Sequence, residues 1–180
     1  MSALVGFCGS RSLPSAFSPL VSSGVSAVSV AGRGVAVGCA SGADAFVRRA
    51  CSSAIVFSAS SFGFGRAAFA RRSSAFVSAV ASSGAGCGLV AFVSSPCPAA
   101  LLPSSRASRC FAGFGSGSWA SVAFAVGLGV PIVVFPCVGS GVSASSVLPA
   151  SWSGSWVSAG SGVWSSGFRF VPSSSPALPF

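Results

Sequence analysis

Gly34-Val-Ala-Val-Gly-Cys-Ala-Ser-Gly-Ala-Asp-Ala-Phe-Val-Arg-Arg49 is the stretch from which the rest of the chain can be read. Residues 35–37 are a short apolar strand pattern, 38–42 a loop of small residues, and 43–50 a helical pattern with Ala43, Phe46, Val47 and Ala50 on one side. Strand, tight glycine turn and helix follow one another without spacer. At such a turn the backbone N–H groups at the helix N-terminus can point outward, where a phosphate or other anion is favoured. Asp44, in the first helical turn, is the only side-chain carboxylate in the sequence.

The same arrangement recurs on either side. Residues 3–7 form a strand pattern that runs into Cys8-Gly9-Ser10-Arg11, and beyond Pro14 a helical stripe of Phe17, Leu20, Val21, Val25 and Val28 reaches Gly32. A third strand is expected over 54–57, followed by the loop Ser61-Phe-Gly-Phe-Gly-Arg66 and a helix over 67–82 with Phe69, Phe76, Val77 and Val80 on its apolar stripe. A fourth strand is expected over 88–93, then a long Pro/Ser/Gly-rich segment over 94–116 of the kind that in compact domains is functional or disordered. Gly115-Ser-Gly-Ser118 opens a helix over 119–128, and a last strand closes at 130–135. Alternating strands and helices with continuously apolar strands predict an α/β fold: a parallel sheet of about five strands with helices on both faces. Ligands of such sheets sit outside the carboxyl ends of the strands, where the glycine turns fall. Residues 138–146 read as a Ser/Gly linker. Trp152, Trp156, Trp164, Phe168 and Phe170 then form an aromatic C-terminal appendage: a hairpin on the domain edge, a partner-binding patch, or disordered chain, with 173–180 loose.

The composition carries its own message. The chain of 180 residues has no Glu, Lys, His, Asn, Gln, Thr or Tyr, and ten arginines against Asp44 give a net charge of +9. All codons of the missing types contain adenine, as do those of Asp, Ile and Met, which appear only as Asp44, Ile55, Ile132 and Met1. The bias therefore points to a coding strand nearly free of adenine; frequent A-containing Ser, Arg or Gly codons in the gene would refute this. Ser here stands in places where Thr or Asn would otherwise occur, and Arg stands for Lys. Seven cysteines at 8, 39, 51, 87, 97, 110 and 137, with no C-x-x-C and no histidine, predict reduced, core-type thiols in a cytoplasmic protein and no metal site. The uncharged run 119–138 is broken by Gly127, Gly129, Pro131 and Pro136, which favours a helix and a strand over a membrane span.

Gly9-Ser10-Arg11, Ala40-Ser-Gly-Ala-Asp44, Gly65-Arg66-Ala-Ala-Phe-Ala-Arg71-Arg72 and Gly115-Ser-Gly-Ser118, in this order over residues 3–137, together resemble the SLOG superfamily of Rossmann-like nucleotide-binding domains. The likeness is to its YspA-like branch, and more distantly to the DNA-processing protein A (Smf) branch and the lonely-guy phosphoribohydrolases. The resemblance implies a Rossmann-like nucleotide-binding domain over 1–137, with 138–180 outside it. It also implies a ligand site built from Gly9, Ser10, Arg11, Ser41, Gly42, Asp44, Arg66, Arg71, Gly115, Ser116, Gly117 and Ser118. In it Ser10 and Arg11 approach a phosphate or base, Ser41, Gly42 and Asp44 the ribose and phosphate side, and Gly115–Ser118 cradles a phosphate. Three positions depart from the family pattern: Ser73 replaces an Asn, Phe76 a Met and Ser118 a Thr. The catalytic glutamate of the lonely-guy enzymes has no counterpart here.

The expected function is binding of a nucleotide or nucleotide-derived ligand, in the manner of a sensor, with no further cofactor. General acid–base work near neutral pH needs His, Glu, Lys or a tuned Asp, so only Asp44 is available for catalysis and a binding role fits better. Two alternatives stand beside it. One is single-stranded DNA binding, supported by the positive charge and by Phe62, Phe64, Phe111 and Phe114 among the arginines. The other is a nucleotide-processing phosphoribohydrolase centred on Asp44. Self-association through the aromatic tail is a further expectation, and a membrane partner is not expected.

Overall fold

A computed structural model describes residues 2–173. Its centre is a run of strands that are buried because they are apolar on both faces: β1 (Leu4–Gly9), β2 (Gly34–Gly38), β4 (Gly88–Val93) and β5 (Ile132–Pro136), with the short β3 (Ile55–Phe57) outside β2. All are parallel, in the order β3-β2-β1-β4-β5. Two antiparallel strands, β6 (Gly154–Ser158) and β7 (Phe168–Pro172), extend the same sheet beyond β5. The protein is thus α/β with a mostly parallel mixed sheet of seven strands, where the sequence pattern predicted about five.

Helices cover both faces. On one, α1 (Ser18–Val30) and α2 (Ala43–Ala50) place Val21, Val25, Val28, Ala43 and Val47 over Val5, Phe7, Val35, Val37 and Phe92. Proline at the start of α1 fits a position whose N–H has no helical partner. The helix stops at Gly32, whose φ of +71° suits the left-handed C-terminal position, with Arg33 N–H donating back to the Val28 carbonyl at 3.2 Å. On the other face, α3 (Gly65–Ala81) and α5 (Gly117–Gly127) bury Phe76, Val77, Val80, Trp119 and Val122 against Ala36, Leu89, Ala91 and Val134. The segment between β4 and α5 holds one further helical turn, α4 (Ala107–Cys110).

The C-terminal hairpin is joined to this second layer. Trp152 and Trp156 meet the fully buried Trp119 edge-on, with ring centroids 6.1 Å and 6.4 Å away, contacts worth about 0.5–1.5 kcal/mol each beyond the area they bury. Each indole N–H also finds a carbonyl: Trp119 that of Ser95, Trp152 that of Leu101 and Trp156 that of Pro149. Of the outcomes open to this segment from sequence, the structure has the hairpin, and it is hydrogen-bonded into the sheet as well as packed on its edge.

Two expectations from periodicity are corrected. Phe69, expected on the apolar stripe of α3, is 45% exposed, because it lies on the wall of a cavity rather than against the sheet. The third strand lies at the open edge, so Ile55 and Val56 are half exposed rather than buried on both sides. No helix among the described residues is long and apolar enough to cross a membrane.

Candidate functional site

The strand order reverses between β1 and β4, so the loops that leave their carboxyl ends diverge and open a crevice, the usual ligand position in an open α/β sheet. A cavity of about 740 Å³ lies there, within the range of small-molecule sites. Its walls come from the loop after β1 (Gly9, Ser10, Arg11, Ser12), from Ala40 and Asp44, from α3 (Arg66, Phe69, Arg72, Ser73), from Ser94 and Ser95 after β4, and from 110–121 at the start of α5.

Each wall has a local cause. Gly9 is where β1 ends: a Cβ there would meet the Phe92 carbonyl oxygen and the Ala43 side chain, so only glycine lets β1, β4 and α2 approach this closely. Ser10 then turns the chain, its N–H donating to the Phe92 carbonyl at 2.8 Å and its hydroxyl accepting from the Ser94 hydroxyl at 2.8 Å. Opposite, Ser116 caps α5: its hydroxyl accepts from the Trp119 N–H at 3.3 Å and its carbonyl from the Ala120 N–H at 3.0 Å. The two amides left over in that first turn, those of Gly117 and Ser118, belong to residues of the cavity wall and are donors for an anion.

At the bottom sits an ion pair. Asp44 Oδ2 accepts from Arg72 Nη1 at 3.3 Å and from the Ala40 N–H at 3.1 Å, with the side chains of Asp44 and Arg72 only 5% and 10% exposed. Gly38 makes room for it, since a Cβ on Gly38 would fall on Arg72 Nη1 and Asp44 Oδ2. Burial pushes the Asp44 carboxyl above its ordinary pKa; Arg72, the Ala40 amide and Arg48 offset this only in part. Arg72 Nε is buried with no acceptor among the described residues. Arg11 and Arg66 line the cavity with side chains that make no hydrogen bond or ion pair among those residues. Three arginines and one carboxylate thus line the cavity, which carries a net positive charge.

Of the residues expected at the site, Gly9, Ser10, Arg11, Asp44, Arg66, Gly115, Ser116, Gly117 and Ser118 line this one cavity. Ser41, Gly42 and Arg71 do not. Gly42 (φ +64°) packs against the backbone of Ser10 and Arg11, Ser41 Oγ donates to the Arg11 carbonyl at 3.0 Å, and the Ala43 N–H donates to the Ser10 carbonyl at 3.0 Å. The glycine cup after β2 is thus filled by the loop after β1, and it shapes the site from behind. Arg71 points the other way, its Nε donating to the Phe62 carbonyl at 2.9 Å. Ser94, Ser95 and Ser121 belong to the cavity and were not among the expected site residues; Arg72, an arginine of the expected phosphate-holding kind, belongs to it in place of Arg71. Arg72 shared its sequence signal with Arg71, and helical phase about the α3 axis was the one clue that separated them. The serines carried no signal in a chain so rich in serine.

All seven cysteines are free. Burial pushes the thiols of Cys97 and Cys137 up to about 12, and that of Cys8, on the cavity wall, higher still, so these are poor nucleophiles. Among the described residues no group of three Cys, Asp, Glu or His side chains could hold a metal ion. The chain matches no protein-family model, no curated protein and no solved structure.

Proposed function

We propose that the protein is a Rossmann-like domain that binds a nucleotide or nucleotide-derived anion in the cavity at the carboxyl end of β1 and β4. One observation carries the reading: the free amides of α5 and the guanidinium groups of Arg11 and Arg66, which make no hydrogen bond or ion pair among the described residues, all belong to the same crevice. Backbone amides at a helix N-terminus and planar guanidinium donors share a preference for phosphate oxygens. The low dielectric of a recessed site strengthens both relative to open solvent. Asp44 serves this site by fixing Arg72, and since its Oδ2 already accepts two hydrogen bonds, binding is favoured over acid–base chemistry at this residue.

The test is calorimetric titration of the full chain with AMP, ADP and inorganic phosphate. Binding by a phosphorylated ligand, weakened at least about tenfold in Arg11→Ala and in Arg66→Ala, is expected, since a charge-assisted hydrogen bond is worth about 1.5–3 kcal/mol. A folded protein that binds none of the three refutes the reading.

Single-stranded DNA binding retains one observation in its favour. Phe64, 96% exposed, sits between Gly63 and Gly65, which have positive φ, and next but one to Arg66 at the cavity wall. If it is the function, a thymidine 20-mer binds far more tightly than a mononucleotide and its affinity falls steeply with salt. A flat salt dependence rejects it.

A further inference from the structure

We propose that the cavity holds its ligand by a flat aromatic ring as well as by phosphate, so that the ligands are nucleoside phosphates, and that it distinguishes one base from another poorly. This rests on the nucleotide reading above and adds what the rest of the ligand must be.

The aromatic side chains of the core pair with one another: Phe57 with Phe76 at 5.7 Å, Phe92 with Phe135 at 5.2 Å, and Trp119 with two tryptophans of the hairpin. Two rings on the cavity wall do not. Phe69 on α3 and Phe114 before α5 make no ring–ring contact among the described residues, although both line the cavity. Phe111, also on the wall, is held edge-on by Phe124 at 6.1 Å. Phe69 lies three residues after Arg66 and three before Arg72, i,i+3 spacing on either side, so the apolar ring neighbours both cations on the helix surface. A half-exposed Phe in a concave wall forfeits part of the roughly 1.5–3 kcal/mol that its burial would contribute. A planar heterocycle stacked on it would supply the missing contact, and base–aromatic stacking is worth about 1–3 kcal/mol per base.

Base tolerance follows from what surrounds the rings. Discriminating base edges takes side chains with fixed donor–acceptor pairs: amides for adenine, carboxylates for cytosine, guanidinium groups for guanine. The chain contains no Asn, Gln or Glu, and its one Asp is bound to Arg72. The other polar side chains of the wall are serines, among them Ser73 and Ser118, hydroxyls that rotate to donate or accept as the partner requires. The arginines answer to phosphate. A ring is therefore gripped by its face, which every base has, and its edge goes largely unread.

Calorimetry of the full chain with AMP, GMP, CMP, UMP and ribose 5-phosphate tests this at constant phosphate. The four nucleotides are expected to bind within about tenfold of one another, and ribose 5-phosphate about 5- to 150-fold more weakly. Phe69→Ala, at a half-exposed position, should bring AMP down towards ribose 5-phosphate and leave ribose 5-phosphate unchanged. Phe69→Trp should preserve or tighten AMP binding. Equal affinity of AMP and ribose 5-phosphate overturns the aromatic wall while leaving the phosphate site standing. Preference for one base by more than about tenfold overturns the tolerance. No binding by any of the five overturns the nucleotide reading itself.

Discussion

Replacing Asp44 by Asn and by Ala separates its shape from its charge. Oδ2 is the acceptor for two donors that lie at the floor of the cavity, the Ala40 N–H at 3.1 Å and Arg72 Nη1 at 3.3 Å. In Asp44→Ala both lose it. An unsatisfied buried donor costs about 1–3 kcal/mol, more when charged, and water entering from the adjacent cavity relieves part of this. The expected loss is about 2–4 kcal/mol, or roughly 4–16 °C in Tm for a chain of this size. Asp44→Asn keeps a carbonyl oxygen in the same place. Because burial already pushes the carboxyl towards its neutral form, the fold loses little when the charge is removed. Asn should lie within about 1 kcal/mol of the parent protein, and its cavity, now one negative charge poorer, should bind phosphorylated ligands more tightly. Urea denaturation followed by circular dichroism, at pH 7, gives both stabilities. If Asn proves as damaging as Ala, the carboxylate charge is what the site needs. If Ala is silent, the hydrogen bonds at the floor contribute nothing. Either outcome refutes the reasoning.

Further predictions concern pH, glycine and tryptophan. Asp44 has a folded pKa above its unfolded value, so its contribution to stability is fully present below the ordinary carboxylate range and is lost as pH rises through the raised value. With no other side-chain carboxylate and no histidine, this segment dominates the acid side of the stability profile, and it should vanish in Asp44→Asn when unfolding is followed from pH 3 to 7. Gly42→Ala should cost at least about 1–3 kcal/mol, because the position has positive φ and no space against Ser10 and Arg11; a silent substitution means that this loop is not fixed as described. Gly38→Ala should displace the Asp44–Arg72 pair, destabilise by about 1–3 kcal/mol and weaken ligand binding together, read by denaturation and calorimetry on the same protein. Trp152→Ala, at 3% exposure, should cost about 3–5 kcal/mol if the hairpin is part of the fold; a loss near zero in thermal denaturation would make it an independent appendage.

Periodicity and punctuation alone were enough for the alternation of strand and helix. Residues 43–50 and 88–93 are helix and strand with the expected bounds, because an apolar face ends where glycine or a short polar turn ends it. The glycine turns at 9–11 and 115–118 were legible too, since a helix opening on small residues has a local chemical signature. What tertiary structure alone decided was the use of each turn. Three cups looked alike, yet the one at 38–42 is occupied by the backbone of Ser10 and Arg11, a contact across 30 residues that no local pattern encodes. The arginines at 71 and 72 are chemically identical and one helical step apart, which is enough to send one to the Phe62 carbonyl and the other to Asp44. The hairpin was one of three readings left open by the sequence: Gly154–Ser158 and Phe168–Pro172 carry aromatic and β-branched residues, but whether they pair depends on the open edge of β5 and the ring of Trp119 being there to receive them. Local sequence determines which elements form, through backbone geometry and apolar period; which surfaces they close, and what cavity is left between them, depends on contacts that exist only once the chain has folded.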